Sequence, residues 1–235
     1  MDINNSLEEL DLSCKNLTIL PDLSKYISLK VLKCYSNNLT RLDNLPPGLQ
    51  ILNCSDNKLT SLDNLPSCLL ELNCNLNNII SLNNLPPRLA KLDCNNNILT
   101  CLDNLPPELL DLNCSFNKIR SLDNLPPGLQ KLDCIGNQLT SLDNLPLGLI
   151  GLFCYYNKIT SLDNLPPKLQ KLDCSFNKIK SLNNLPIGLQ ELNYSYNGLT
   201  SLPNFEPKIQ NVECYCKQKT KIDNFQSQLQ ILNEK

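Results

Sequence analysis

The chain has 235 residues, 41% hydrophobic and 19% charged, and a formal net charge of −2. Leu occurs 52 times and Asn 35 times, a bias that points to a repeated unit with a real core and away from disorder. His and Trp are absent and Gly occurs only seven times, which excludes Ser-His-Asp and Cys-His catalysis, histidine metal sites and Gly-rich phosphate loops.

From the N-terminus, Met1 to Ser6 carries neither the basic nor the apolar region of a secretory leader. No apolar run approaches membrane-spanning length, so no membrane association is expected. Thirteen cysteines, an odd number in a long chain, then point to a reducing compartment, read as the cytoplasm. The near-neutral charge gives no reason to expect nucleic acid.

A first unit of 22 residues opens at Leu7, so residues 1–28 form an N-terminal segment with its repeat. Nine units of 20 residues follow over 29–208, and residues 209–235 hold a degenerate repeat and cap. The third unit runs Leu49-Gln-Ile-Leu52-Asn-Cys54-Ser-Asp-Asn57-Lys-Leu59-Thr-Ser-Leu62-Asp-Asn-Leu65-Pro66, and this pattern recurs from Leu69 to Leu189. It is the template L-x-x-L-x-C-x-x-N-x-L, with Cys at the third apolar position.

On these residues the chain resembles the leucine-rich repeat family over nearly its whole length. The short period and the Leu-Pro-Pro segment are similar to repeats of bacterial effector proteins and of giant-virus leucine-rich repeat proteins. The resemblance implies a binding array, located in host cytoplasm if the source is viral.

Physical reading of the unit gives a mainly β solenoid. Alternation places Leu52 and Cys54 on one strand face and Asn53 on the other. One strand per unit, paired with its neighbours, makes a single parallel sheet on the concave face. The return side carries Pro-Pro at 46–47, 86–87, 106–107, 126–127 and 166–167, so extended or polyproline segments with little or no helix are expected there. Leu59, Leu62 and Leu65 fill the core from that side. At position nine, Asn37, Asn57, Asn77, Asn97, Asn117, Asn137, Asn157, Asn177 and Asn197 form a structural ladder that satisfies backbone groups where the strands turn away.

Two further ladders invite chemistry. Cys34, Cys54, Cys74, Cys94, Cys114, Cys134, Cys154, Cys174 and Cys214 share position six, with Tyr194 once in their place. A thiolate ladder is conceivable, but a core position makes free Cys a small, inert hydrophobe. Cys14, Cys68, Cys101 and Cys216 lie off the ladder and are the expected accessible thiols. Asp43, Asp63, Asp103, Asp123, Asp143 and Asp163, interrupted by Asn83 and Asn183, could hold a cation or make local turns, and the turn reading is favoured. No cofactor and no metal are expected.

Positions two, three, five, seven and eight are expected on the concave surface. The early units offer Glu8, Glu9, Lys30, Lys33, Asp56 and Glu71 there. From the sixth unit onward come Phe116, Phe153, Tyr155, Tyr156, Phe176, Tyr196 and Tyr215, a candidate binding patch. Asp93, Asp111, Asp133 and Asp173 beside Lys91, Lys131 and Lys171 give mixed charge, which suits a protein partner better than a polyanion. Nothing singles out a catalytic residue. The expected function is a non-enzymatic protein-protein interaction scaffold. The alternatives are the recognition part of an enzyme whose catalytic module lies elsewhere, or a structural protein assembling through its N-terminal edge.

Overall fold

The computed structural model describes residues 6–199 and 209–214. Tyr215, Cys216 and the C-terminal cap lie outside the described residues. The eleven strands are β1 (Glu9–Asp11), β2 (Val31–Lys33), β3 (Ile51–Asn53), β4 (Glu71–Asn73), β5 (Lys91–Asp93), β6 (Asp111–Asn113), β7 (Lys131–Asp133), β8 (Gly151–Phe153), β9 (Lys171–Asp173), β10 (Glu191–Asn193) and β11 (Asn211–Glu213). They form one parallel sheet in chain order, and no helix occurs among the described residues.

A constant period gives constant register. Leu52 faces Leu72 and Leu72 faces Leu92 across the sheet, so the central leucines stack in one inward column. The backbone ladder runs past the strands: Cys54 N–H donates to Asn73 O at 2.9 Å and Asp56 N–H to Asn75 O at 2.9 Å. The core is the stack of Leu at positions one, four and fourteen, Cys at six and Leu or Ile at eleven, all buried in units two to nine.

The return side is built from two successive turns per unit. At the first, the Asn of each Asp-Asn or Asn-Asn pair (Asn44, Asn64, Asn84, Asn104, Asn124, Asn144, Asn164 and Asn184) holds φ between 55° and 66°. Asn tolerates that left-handed region better than other chiral residues. At the second, Leu69 N–H donates to Pro66 O at 3.1 Å, and the same bond recurs from Leu49 to Leu189. The second proline of each Pro-Pro thereby takes the second turn position, where its fixed φ is already right. Pro66 and its equivalents from Pro46 to Pro166 are buried, whereas Leu65 is only half-buried. The proline ring therefore does part of the core filling expected of that leucine.

Candidate functional site

The strands end at position five, and although inter-unit backbone hydrogen bonds continue beyond them, the aromatics at position eight sit in the turn after the strand and not on it, a correction to the sequence reading. Phe116, Tyr156, Phe176 and Tyr196 hold φ of 53°, 55°, 52° and 56° and are exposed by 49%, 53%, 36% and 45%. The same turn throws the side chains outward one unit apart. Tyr156 stacks on Phe176 and Phe176 on Tyr196, each pair at 4.3 Å between centroids and 17° between planes. Tyr155 meets Tyr156 at 5.7 Å and 58°.

The energetics of this stack are informative. A left-handed conformation costs a bulky L-residue roughly 1–2 kcal/mol, and a stacked aromatic pair gains about 0.5–1.5 kcal/mol. That gain comes on top of the ring area the stack buries, so the strain offsets part of what the stack returns to the fold. Asp56 and Asn96 occupy the same position in other units with side chains suited to that turn. Gly136 takes it in unit seven at φ 63°, and a Cβ there would lie 2.6 Å from Phe116 Cδ1. The Phe116 ring thus rests where the next side chain would be, and the missing side chain breaks the stripe. Gly136 was missed by sequence reasoning; its signal was a glycine in a chain with only seven.

On the sheet itself, Phe153 is half-buried and lies along its own strand. Its Cε2 is 3.5 Å from where a Cβ of Gly151 would be. Lys131 Nζ stands 5.7 Å from the Phe153 centroid, 2.7 Å from Asp133 and 4.0 Å from Asp111. Partial desolvation lowers the Lys131 ammonium pKa, but the hydrogen bond to Asp133 and the charges of Asp133, Asp111 and Asp93 outweigh it and raise the pKa overall. Lys171 pairs with Glu191 at 2.9 Å and Lys33 with Glu9 at 2.6 Å. Position seven is less open than expected: Ser55, Ser115, Ser175 and Ser195 are buried, and Tyr155 is half-buried.

The remaining ladders are engaged within the fold. Asn57 Nδ2 donates to Cys34 O, Cys54 O and Ser55 O at 3.0–3.1 Å, while Asn57 Oδ1 accepts Asn37-unit Leu39 N–H at 2.9 Å. Asn77 to Asn197 repeat this bridge unit by unit, and Asn37 Oδ1 accepts Lys15 and Leu17 N–H. Cys34 to Cys174 on the ladder are buried and Cys214 is half-buried. Burial pushes the thiols of Cys34 and Cys114 up to about 12, so they are not nucleophiles at neutral pH. Cys14 and Cys101 are exposed and Cys68 half-buried, and the twelve cysteines among the described residues are all free thiols.

In the Asp ladder the carboxylates bond locally. Asp63 accepts Ser61 Oγ at 2.7 Å and Asn84 Nδ2 of the next unit at 3.4 Å. Ser121 and Asn144 hold the Asp123 carboxyl below its ordinary range. Asn104 Nδ2 makes the equivalent bond to Asn83 Oδ1 at 2.9 Å, so the link survives without the charge. Among the described residues no group of three His, Cys, Asp or Glu side chains is placed to hold a metal ion.

A one-strand-per-unit parallel solenoid with an inward Asn ladder defines a leucine-rich repeat array. The chain belongs to the leucine-rich repeat family, as solved structures show. It is similar to YopM from Yersinia enterocolitica, at 35% identity and a TM-score of 0.74, over 89% of this chain and 56% of that one. It is also similar to the functional domain of InlJ from Listeria monocytogenes, described as including a cysteine ladder, at 38% identity and a TM-score of 0.74, over 84% and 46%. A Shigella effector leucine-rich repeat domain matches at 31% identity and a TM-score of 0.55, over 83% and 71%. The chain thus spans about half the length of the first two. No protein-family model and no curated protein sequence matches it.

Proposed function

We propose that the chain is a non-enzymatic scaffold that presents the C-terminal half of its concave face to a protein partner in the cytoplasm. The observation that carries this reading is the exposed Tyr156–Phe176–Tyr196 stack held in left-handed turns. Large rings half-exposed in a strained turn, at a position where Asn and Asp fit without strain, point to a role in contact. Exposed aromatics clustered on a rigid array are the usual anchors of an interface. Phe116, Phe153 and Tyr155 extend the patch. A net charge of −2 and concave carboxylates favour a protein partner over nucleic acid or an anionic membrane. No helix of the described residues is long and apolar enough to cross a membrane.

The test is affinity capture from the native host with wild-type protein, the Tyr156→Asn/Phe176→Asn pair and the Lys30→Ala/Lys33→Ala pair. The proposal expects partners recovered with wild type and the lysine pair to be lost with the aromatic pair. Partners lost with the lysine pair alone would move the site to the N-terminal units. A second reading has its own support: the chain spans 56% and 46% of the YopM and InlJ structures. On that reading this array is the recognition part of a larger protein, enzymatic or not, and the same patch selects its target.

A further inference from the structure

Unit eight differs from its neighbours across the whole width of the sheet. Its outward side chains are Ile150, none at Gly151, Phe153, Tyr155 and Tyr156, so an apolar crossing runs from one edge of the strand to the aromatic stack at the other. The flanking strands both read Lys-Leu-Asp, at β7 and β9. Register sets Phe153 opposite Asp133 on one side and Asp173 on the other. The Phe153 ring reaches back over Gly151, where a Cβ would lie in ordinary contact with its Cε2 at 3.5 Å.

The charges around this crossing are unequal. Positions three and five of β5 to β11 carry Lys91, Lys131 and Lys171 against Asp93, Asp111, Asp133, Asp173, Glu191 and Glu213. Lys171 is turned to Glu191. Asp173 is held by neutral donors, the N–H and Oγ of Ser175 at 3.0 and 2.7 Å and Asn193 Nδ2 at 3.5 Å. Lys131 shows what the ring and its neighbours accept: its ammonium sits over Phe153 while bonded to Asp133.

We propose that the unit-eight crossing docks a basic, extended segment of a partner protein, with an arginine or lysine laid on Phe153 between Asp133 and Asp173. This rests on the scaffold reading and deepens it by naming the chemistry of the partner. A guanidinium there gains a ring face and a carboxylate with spare capacity, while its apolar neighbours cover Ile150 and the Tyr156 ring. An acidic segment would meet the excess of carboxylates instead. Lys131 is then an occupant in cis of part of the same site, competing with the incoming cation.

The test is selection of a phage-displayed random nonapeptide library on the wild-type chain, followed by fluorescence polarisation of synthetic peptides from the enriched pool. The expected pool is rich in Arg or Lys and loses affinity as salt rises. Phe153→Leu and Asp173→Asn, both conservative for the fold, should each weaken binding by about two- to fivefold. Lys131→Gln should strengthen it, a change of sign that damage to the array would not produce. Enriched peptides that are acidic or uncharged, yet lost with Tyr156→Asn/Phe176→Asn, would overturn this inference and leave the scaffold reading standing. An empty selection, or peptides indifferent to every concave substitution, would overturn both.

Discussion

Replacing Asn117 by Ala isolates what one rung of the Asn ladder contributes. In the native chain Asn117 Oδ1 accepts Leu99 N–H at 2.9 Å, and Nδ2 donates to Cys94 O, Cys114 O and Ser115 O at 3.1, 3.0 and 3.1 Å. The three carbonyls each keep a second donor: Asn97 Nδ2 at 3.1 Å, Asn137 Nδ2 at 3.0 Å and Asn96 N–H at 2.9 Å. Leu99 N–H alone is stranded, in a buried unit. An unsatisfied buried donor costs about 1–3 kcal/mol, and three weakened acceptors add about 1 kcal/mol together. The expected loss is therefore about 2–4 kcal/mol, read as a shift in the urea midpoint, with native-state hydrogen exchange locating it at the Leu99 amide. Lys118→Ala, on the exposed neighbour, should stay within about 0.5 kcal/mol. Asn117→Asp turns a carboxylate toward three carbonyls, which raises its folded pKa. Its stability is thus fullest below the unfolded value of about 3.9 and is lost as pH rises through the folded value. If Asn117→Ala is as mild as Lys118→Ala, the ladder is not what seals the turns and the reasoning fails.

Three further outcomes follow from the same geometry. Native-state alkylation with an uncharged reagent should modify Cys14 readily and Cys101 more slowly, because the hydrogen bond to Asp103 raises its thiol; the ladder from Cys34 to Cys174 should react only after denaturation. Rapid native labelling of the ladder would refute its core placement. Unfolded thiols ionise near 8.5, whereas Cys34 and Cys114 stay neutral to about 12, so stability should be full below about pH 8.5 and fall as pH rises toward 12. Each thiol contributes about 1.4 kcal/mol per pH unit in that window, and Cys114→Ala should flatten the slope; an unchanged slope contradicts the assignment. Gly136→Ala puts a Cβ in a left-handed turn against the Phe116 ring and should cost about 1–2 kcal/mol in urea unfolding. A neutral result would show that the left-handed turn carries no such strain.

Much of this was legible because a repeat shows each environment nine times over. Leu52, Leu72 and Leu92 share a column, so one period set both strand register and core. Asn57 could be read as a backbone bridge because the residue type is constant down its column through all nine 20-residue units. The left-handed turn at position eight was harder to see. Asp56, Asn96 and Gly136 carry its signature, but Phe116, Tyr156, Phe176 and Tyr196 in the same column read as strand aromatics. Packing of side chains against a gap was not legible at all. That Phe153 reaches back over Gly151, or that Asn84 reaches back to Asp63, depends on rotamers that a repeat pattern does not encode.

The claim that the aromatic stack serves binding and not folding is tested most directly by one paired measurement. Titration calorimetry of the captured partner against wild type and the Tyr156→Asn/Phe176→Asn pair gives the affinity change, and urea unfolding of the same samples gives the stability change. Because relief of left-handed strain offsets part of the stacking and ring burial that is lost, the account predicts a stability loss smaller than the binding loss. Binding should weaken by about 2 kcal/mol or more. A pair that unfolds early while the surviving folded fraction binds with wild-type affinity would make the stack structural and contradict the account.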